Sequence, residues 1–231
     1  MKIVLTICLA SIVMCANAQE ITGKIENHED SQMELVLMLF GMEKPISIGT
    51  VDENGQVTAS LDNVSTDQIS EEDKAMYIGE LNSNFYFQCN DREVFGENFD
   101  IPAVRQDYIR LTKNGDWAGT VFLVSDEGLR PWLEDPGYNN AIEGSFYEVM
   151  YVGEDLSLKM ICTISIYADD NKEVETEYNF DIELKKGFNW VKYTILEVYE
   201  TDPDIRASFP SKVTISNLKD PSEMLWIGTY Y

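Results

Sequence analysis

The sequence predicts an all-β protein built as an antiparallel β-sandwich, because apolar and polar residues alternate over long stretches. Every second residue from Leu156 to Ile166 is apolar, and the alternation returns from Val174 to Leu184. Side chains on a strand point to opposite faces in turn, so this period of two indicates a long hairpin with one face on a core. A third strand, Phe188 to Tyr199, follows the turn at Lys185-Lys186-Gly187 and completes a predicted meander. Short strands between turns elsewhere favour a sandwich over a βαβ fold.

Turn residues divide this pattern into two predicted units, each immunoglobulin- or transthyretin-like. The polar patch Lys113-Asn114-Gly115-Asp116 separates two apolar segments, as a boundary between domains does. We therefore expect an N-terminal domain at residues 19–112 and a C-terminal domain at residues 113–231.

Within these units the elements follow from local turn and cap signals. Asn54-Gly55 suits a tight hairpin turn, because both residues accept positive backbone φ angles. Ser70 followed by three acidic residues favours a helix start, and we predict at most this one short helix. The predicted strands of the first unit are Ile21–Glu26, Met33–Phe40, Ile46–Val51, Gln56–Leu61, Phe85–Cys89 and Ala103–Leu111. Those outside the meander in the second unit are Trp117–Val124, Phe146–Val152, Val213–Ile215 and Leu225–Tyr231.

The first eighteen residues have the pattern of a secretory signal peptide. Lys2 precedes an uncharged apolar run, and Ala16-Asn17-Ala18 then offers a cleavage site after Ala18. The apolar run is shorter than the about 20 residues of a membrane-spanning helix, so we expect no transmembrane segment in the mature chain. Lipid attachment at Cys15 is an alternative, disfavoured by the large Met14 before it. The prediction is a secreted, periplasmic or cell-envelope protein.

Charge restricts the partners. Acidic residues outnumber basic ones 41 to 17, for a formal net charge of −24. Such a chain repels nucleic acid and anionic membrane, because phosphate binding requires clustered Lys and Arg. We predict no nucleic-acid partner and no cofactor. The oxygen-rich segment with Asp169 and Asp170 could hold calcium, but it lacks the spacing of a calcium loop and is explained equally by hairpin-turn chemistry.

Two cysteines remain after the predicted cleavage, Cys89 and Cys162, and both lie on the apolar phase of their segments. An exported protein could pair them, and closing so long a loop would contribute about 4 kcal/mol. They could equally be two separate buried thiols. The chain has a single histidine, His28, so neither cysteine has the partners of a zinc site or of a Cys–His nucleophile.

No catalytic motif is evident. Histidine-based triads lack a suitable histidine, and neither a Gly-x-Ser-x-Gly elbow nor a phosphate-binding loop occurs. Pairs of carboxylates, as glycosidases use, are inevitable among 41 acidic residues and carry little information.

Aromatic residues provide the strongest argument for binding. Trp132 and Tyr138 lie in the predicted loop at 125–140, where a large ring is less often needed for packing, so we predict that they bind a ligand such as a sugar at the surface. Alternatively, Trp132 plugs the end of the sandwich. Trp190 and Trp226 are expected to fill the core.

Four short stretches resemble an uncharacterised group of secreted bacterial proteins, often lipoproteins. These stretches are Ile21-Thr22-Gly23-Lys24-Ile25, Gly49-Thr50-Val51-Asp52-Glu53-Asn54-Gly55, Leu184-Lys185-Lys186-Gly187-Phe188-Asn189-Trp190-Val191 and Leu225-Trp226. The group usually has Gly-Trp where this chain has Gly187-Phe188, and it carries no catalytic residues to transfer. The resemblance implies an exported β-rich protein of unknown role.

Together these observations predict an exported, non-catalytic β-sandwich protein that acts as a binding, adhesion or envelope-associated module. Its partner would be an unknown protein or a glycan at the cell surface. The alternatives are a carbohydrate-binding module and, second, a glycoside hydrolase or other hydrolase with paired carboxylates.

Overall fold

The computed structural model describes residues 20–29, 31–41, 43–62, 64–168 and 172–231. The expected signal peptide, including Cys15, lies outside these ranges. Within them the strands are β1 (Ile21–Lys24), β2 (Met33–Leu37), β3 (Ile46–Val51), β4 (Gln56–Ala59), β5 (Gly79–Glu80), β6 (Pro102–Gln106), β7 (Ile109–Lys113), β8 (Asp116–Val124), β9 (Gly144–Val152), β10 (Leu156–Tyr167), β11 (Glu173–Leu184), β12 (Gly187–Tyr199), β13 (Phe209–Asn217) and β14 (Leu225–Tyr230). The helices are α1 (Glu71–Tyr77), α2 (Leu81–Asn84), α3 (Arg92–Phe95) and α4 (Arg130–Glu134).

The mostly β prediction is confirmed, and in the described ranges the fourteen strands form one large sheet with four short helices. The expectation of at most one helix is wrong. Helix α1 begins as predicted, because the Ser70 hydroxyl accepts from the Asp73 backbone N–H. Helix α3 was missed, although the Asp91 carboxylate caps it by accepting from two backbone N–H groups. The predicted strand Phe85–Cys89 is wrong, because the chain bends at residues 85–87 and pairs with no described strand, although Phe85, Phe87 and Cys89 are buried.

Seven strands, which we call the closed ring, form the first part of the sheet. Their order is β1-β4-β3-β2-β7-β8, and β14 pairs with the other edge of β8. An isolated bridge between Ile25 and Trp226 then brings β14 back to the end of β1. Gly23 permits this return, because a Cβ there would lie 2.1 Å from the indole Nε1 of Trp226.

The remaining main strands form what we call the open region, in the order β9-β12-β13-β11-β10, with β6 and β5 beside β9. Strand β10 is outermost and pairs only with β11 along its described length. The open region is joined to the closed ring where Phe146 and Tyr147 of β9 pair with Val124 and Leu123 of β8.

The predicted meander is wrong in one respect. Strands β10 and β11 form the expected hairpin, but β12 pairs with β9 and β13 instead of β11. Strand β13 inserts between β11 and β12 and runs parallel to β11. The alternation of side chains determines which face of a strand is buried, not which strand lies beside it.

Two hydrophobic cores fill the molecule, and each uses residues from both sides of position 112. The core of the closed ring includes Trp190 and Trp226, while the core of the open region includes Phe85 and Phe95. The predicted boundary at Lys113-Asn114-Gly115-Asp116 is the tight hairpin turn between β7 and β8. The predicted division at 112 therefore does not coincide with the division between the cores.

No helix in the described part of the chain is both long and apolar enough to cross a lipid bilayer.

Candidate functional site

A cavity of about 280 Å³ lies at the junction of the closed ring and the open region. Its position follows from β9, which changes partner here: Tyr147 is the last residue of β9 opposite β8, and Val149 is the first opposite β6. The intervening residue, Glu148, pairs with neither β8 nor β6 on this edge of β9. The diverging strand ends leave a gap, which is lined by Tyr86, Arg105, Asp107, Tyr108, Phe122 and Glu148.

Glu148 is the unusual residue of this cavity. It lies on the same face of β9 as Phe146 and Met150, both of which belong to the core of the open region. Its side chain is only 2% exposed. A carboxyl group on the core-facing side of a strand must be compensated by polar neighbours, because an isolated buried charge is very costly.

Arg105 partly compensates Glu148 and also holds a second carboxylate. Its Nη1 lies 3.8 Å from Glu148 Oε1, and its Nη2 lies 2.7 Å from Asp107 Oδ1. The guanidinium stacks over the Tyr86 ring with 4.9 Å between Cζ and the ring centroid. Of the two carboxyl contacts of Arg105, the one to Asp107 is shorter and the one to Glu148 is more deeply buried.

Tyr193 of β12 closes the inner end of the cluster. Its hydroxyl accepts a hydrogen bond from the Tyr86 backbone N–H at 3.2 Å. Its ring stacks on Phe146, with 4.8 Å between centroids. Burial raises the pKa of the Tyr86 and Tyr193 hydroxyls, so both remain protonated donors near neutral pH.

Burial raises the pKa of Glu148 to about 8, although the charge of Arg105 lowers it. The negative charge of Asp107 adds to the increase. Glu148 is therefore largely a neutral carboxylic acid at neutral pH. Its Oε2 has no hydrogen-bond partner within the described chain. The wall of the cavity thus includes a residue with a buried carboxyl oxygen that lacks a partner.

The two residues predicted to bind a ligand at the surface do not form an exposed pair. Trp132 is 3% exposed and packs its ring against Tyr86 and Phe146, at 5.5 and 5.9 Å between centroids. Pro131 lies in the first turn of α4, which turns Trp132 inward. Trp132 thus packs behind the cavity, while Tyr138 is 88% exposed.

The other predicted site residues have separate locations. Cys89 and Cys162 are joined by a disulfide, with 6.2 Å between Cα atoms and 73 positions between them in sequence. The predicted calcium ligands Asp169 and Asp170 lie outside the described residues. In the ranges that the structure describes, no three His, Cys, Asp or Glu side chains are grouped to hold a metal ion.

Sequence reasoning missed Glu148 and Arg105. One signal was present: Glu148 is the single charged residue of Gly144–Val152 and shares the alternation phase of Phe146 and Met150. Arg105 and Asp107 carry no such signal, because only the meeting of β6 with β9 brings them to Glu148. Comparisons of the chain with protein-family models, curated proteins and solved structures gave no match.

Proposed function

We propose that the protein is an exported, non-catalytic β protein that binds a saccharide, and that the cavity at Glu148 holds one sugar ring. The observation that carries this proposal is the unpartnered Oε2 of Glu148 in a cavity shared with Arg105 and two tyrosines. The N-terminal pattern of residues 1–18 and the disulfide between Cys89 and Cys162 support export.

The chemistry of the cavity suits a sugar. A protonated carboxyl group can both donate to and accept from sugar hydroxyls, and a guanidinium donates to several oxygens at once. Tyr108, Phe122 and Leu133 also line the cavity and give it apolar surface for the C–H groups of a sugar. A volume of about 280 Å³ is just below the about 300–1,000 Å³ of pockets for drug-sized molecules, so one ring fits better than several.

Calorimetric titration of the purified protein with a panel of neutral saccharides tests the proposal. Glu148→Ala should weaken binding at least about tenfold, the effect of one buried hydrogen bond. Glu175→Gln, which changes an exposed acid on β11, should bind as the parent does. The proposal fails if no saccharide binds, or if Glu148→Ala binds with unchanged affinity while remaining folded.

A glycoside hydrolase is the second candidate, because Glu148 is protonated near neutral pH and Asp107 lines the same cavity. These are the general acid and the second carboxylate that such an enzyme needs. Against it, Arg105 contacts both carboxyl groups and so occupies the space beside them. Turnover of aryl glycosides that is lost in both Glu148→Gln and Asp107→Asn would favour the hydrolase.

A further inference from the structure

A row of aromatic rings leads from the cavity along the outside of the closed ring to the last residue. We call Tyr108, Arg110, Trp117 and Tyr231 the aromatic strip. Tyr108 lines the cavity, and the Arg110 guanidinium lies over its ring at 5.0 Å and over the Trp117 ring at 4.3 Å. Trp117 then meets Tyr231 edge-on, with 5.1 Å between centroids. Each member contacts the next, so the strip is continuous with the cavity.

The far end of the strip is open to solvent. Trp117 is 45% exposed and Tyr231 is 76% exposed. The other tryptophans are buried, with exposures of 3% for Trp132, 9% for Trp190 and 2% for Trp226. Burial of rings is thus the rule for tryptophan in this protein, and packing in a core does not account for Trp117.

Hydrogen bonds fix the ring of Trp117 and the backbone of Tyr231. Trp117 Nε1 donates to the Gly119 carbonyl oxygen at 2.8 Å, and the Tyr231 N–H donates to the Ala118 carbonyl oxygen at 3.0 Å. Arg110 has no ion pair or hydrogen bond from its side chain to any described residue, and its Nε and Nη1 are buried between the rings. Its guanidinium therefore acts as a spacer that fixes the orientation of Trp117.

We propose that the aromatic strip is a second subsite, so that the ligand is a neutral oligosaccharide with one ring in the cavity and a further ring on Trp117 and Tyr231. This inference rests on the proposed function and adds to it the length and the charge of the saccharide ligand. The Trp117 ring, fixed by its hydrogen bond and by Arg110 on one side, presents aromatic surface at little entropic cost, which suits the C–H face of a sugar. A polyuronate is disfavoured, because the chain carries a formal charge of −24.

Binding as a function of oligosaccharide length tests the second subsite. The parent protein should gain about tenfold in affinity once the ligand is long enough to reach Trp117, as expected for one aromatic contact. Trp117→Ala should lose this gain and bind the monosaccharide unchanged. Tyr231→Ala should lose part of it. Tyr167→Ala, a similarly exposed ring on β10, is the matched control and should keep the full gain.

Fluorescence locates the contact independently. An oligosaccharide should change the emission of the parent protein, and this change should be largely absent in Trp117→Phe, because the other three tryptophans are buried. If monosaccharide binding is intact but affinity does not increase with length, the second subsite is overturned and the cavity proposal stands. If no saccharide binds at any length, both are overturned. A proline-rich peptide that changes Trp117 emission when no oligosaccharide does would instead assign the strip to a protein partner.

Discussion

The closed ring returns on itself through the bridge between Ile25 and Trp226, whereas the open region ends at β10, whose outer edge has no partner strand in the described chain. The two regions also differ in their cores. The core of the closed ring is built around aliphatic side chains and four buried aromatic residues, Phe40, Tyr147, Trp190 and Trp226. The core of the open region is rich in phenylalanine and tyrosine, and it contains the disulfide and the buried acid Glu148.

This difference indicates two ways of stabilising a sheet. Strand pairing runs through all seven strands of the closed ring, and a single bridge between Ile25 and Trp226 joins its two end strands. The open region depends on the segment 85–99, which covers its core and is fixed to β10 by the bond between Cys89 and Cys162. The cavity lies where β9 passes between the two regions, so each contributes to its walls.

The largest effect is expected from Trp226→Ala, which should destabilise the closed ring by about 3–5 kcal/mol. Trp226 is 2% exposed and its indole abuts Gly23, so truncation opens a cavity that the backbone cannot fill. Urea unfolding followed by circular dichroism measures the loss. Leu225→Ala, at an exposed neighbour, is the control. A loss below about 1 kcal/mol would show that the ring does not depend on this anchor.

Removal of the disulfide should have the next largest effect, about 4 kcal/mol for a closed loop of 73 residues. Cys89→Ala with Cys162→Ala should lower the urea midpoint and increase amide exchange in β10 more than in the closed ring. Reductant should reproduce this effect in the parent protein and leave the double variant unchanged. An equal increase in amide exchange in the open region and in the closed ring would mean that the two regions unfold as one unit.

The free energy of unfolding should fall by about 2 kcal/mol between pH 5 and pH 7, because of Glu148 in the open region. The pKa of Glu148 is about 8 in the folded protein and 4.5 as a model value. Over this interval the folded state binds the proton more tightly than the unfolded state, so stability falls as pH rises. Hydrogen bonds lower the pKa of carboxylates such as Asp52 and Asp155, and their contribution is instead lost at more acidic pH.

Urea unfolding at several pH values checks this expectation. Glu148→Gln should remove most of the decrease between pH 5 and pH 7, because an amide does not titrate. The exposed control Glu175→Gln should retain it. If the free energy of unfolding changes equally with pH in the parent protein and in Glu148→Gln, Glu148 is not a buried neutral acid.

The smallest effect on stability is expected at the free edge. Lys159 is the only charged residue of β10, its side chain is 85% exposed, and its ion pair with Asp181 is long at 3.9 Å. Lys159→Thr should change stability by less than about 0.5 kcal/mol. It should nevertheless increase self-association, because a lysine on an edge strand opposes pairing with another chain. Light scattering measures the association. Thr163→Lys, which adds a lysine to the same strand, is the opposite change and should decrease it.

The sequence predicted local pairing well and distant pairing poorly. The hairpin predicted from Leu156–Ile166 and Val174–Leu184 is confirmed as β10 and β11, because two adjacent alternating segments with a polar turn have few other partners. The hairpin at Asn54-Gly55 is confirmed as β3 and β4, and Asp52 Oδ1 stabilises its turn by accepting from two backbone N–H groups. The insertion of β13 next to β11 pairs residues that are 35 positions apart in the chain, for which the alternation gives no register.

The candidate site was harder to predict for the same reason. The sequence predicts a loop around Trp132 and therefore an exposed ring, but the segment forms the short helix α4 and its ring is buried. Glu148 was passed over because the chain has 41 acidic residues, and only its apolar phase distinguishes it. Asp107 and Arg105 become neighbours of Glu148 because β6 pairs with β9, whose residues lie more than forty positions further along the chain.

The parallel pairing of β11 with β13 constrains the order in which the protein can fold. Strands β10 and β11 are adjacent in the chain and can form a hairpin early, but the other edge of β11 must wait for Phe209–Asn217. Until then β11 presents a free edge to the neighbouring β12, which is the next strand to be synthesised. A transient non-native meander is the natural competitor, and its dissolution would be a slow step in an otherwise locally connected sheet.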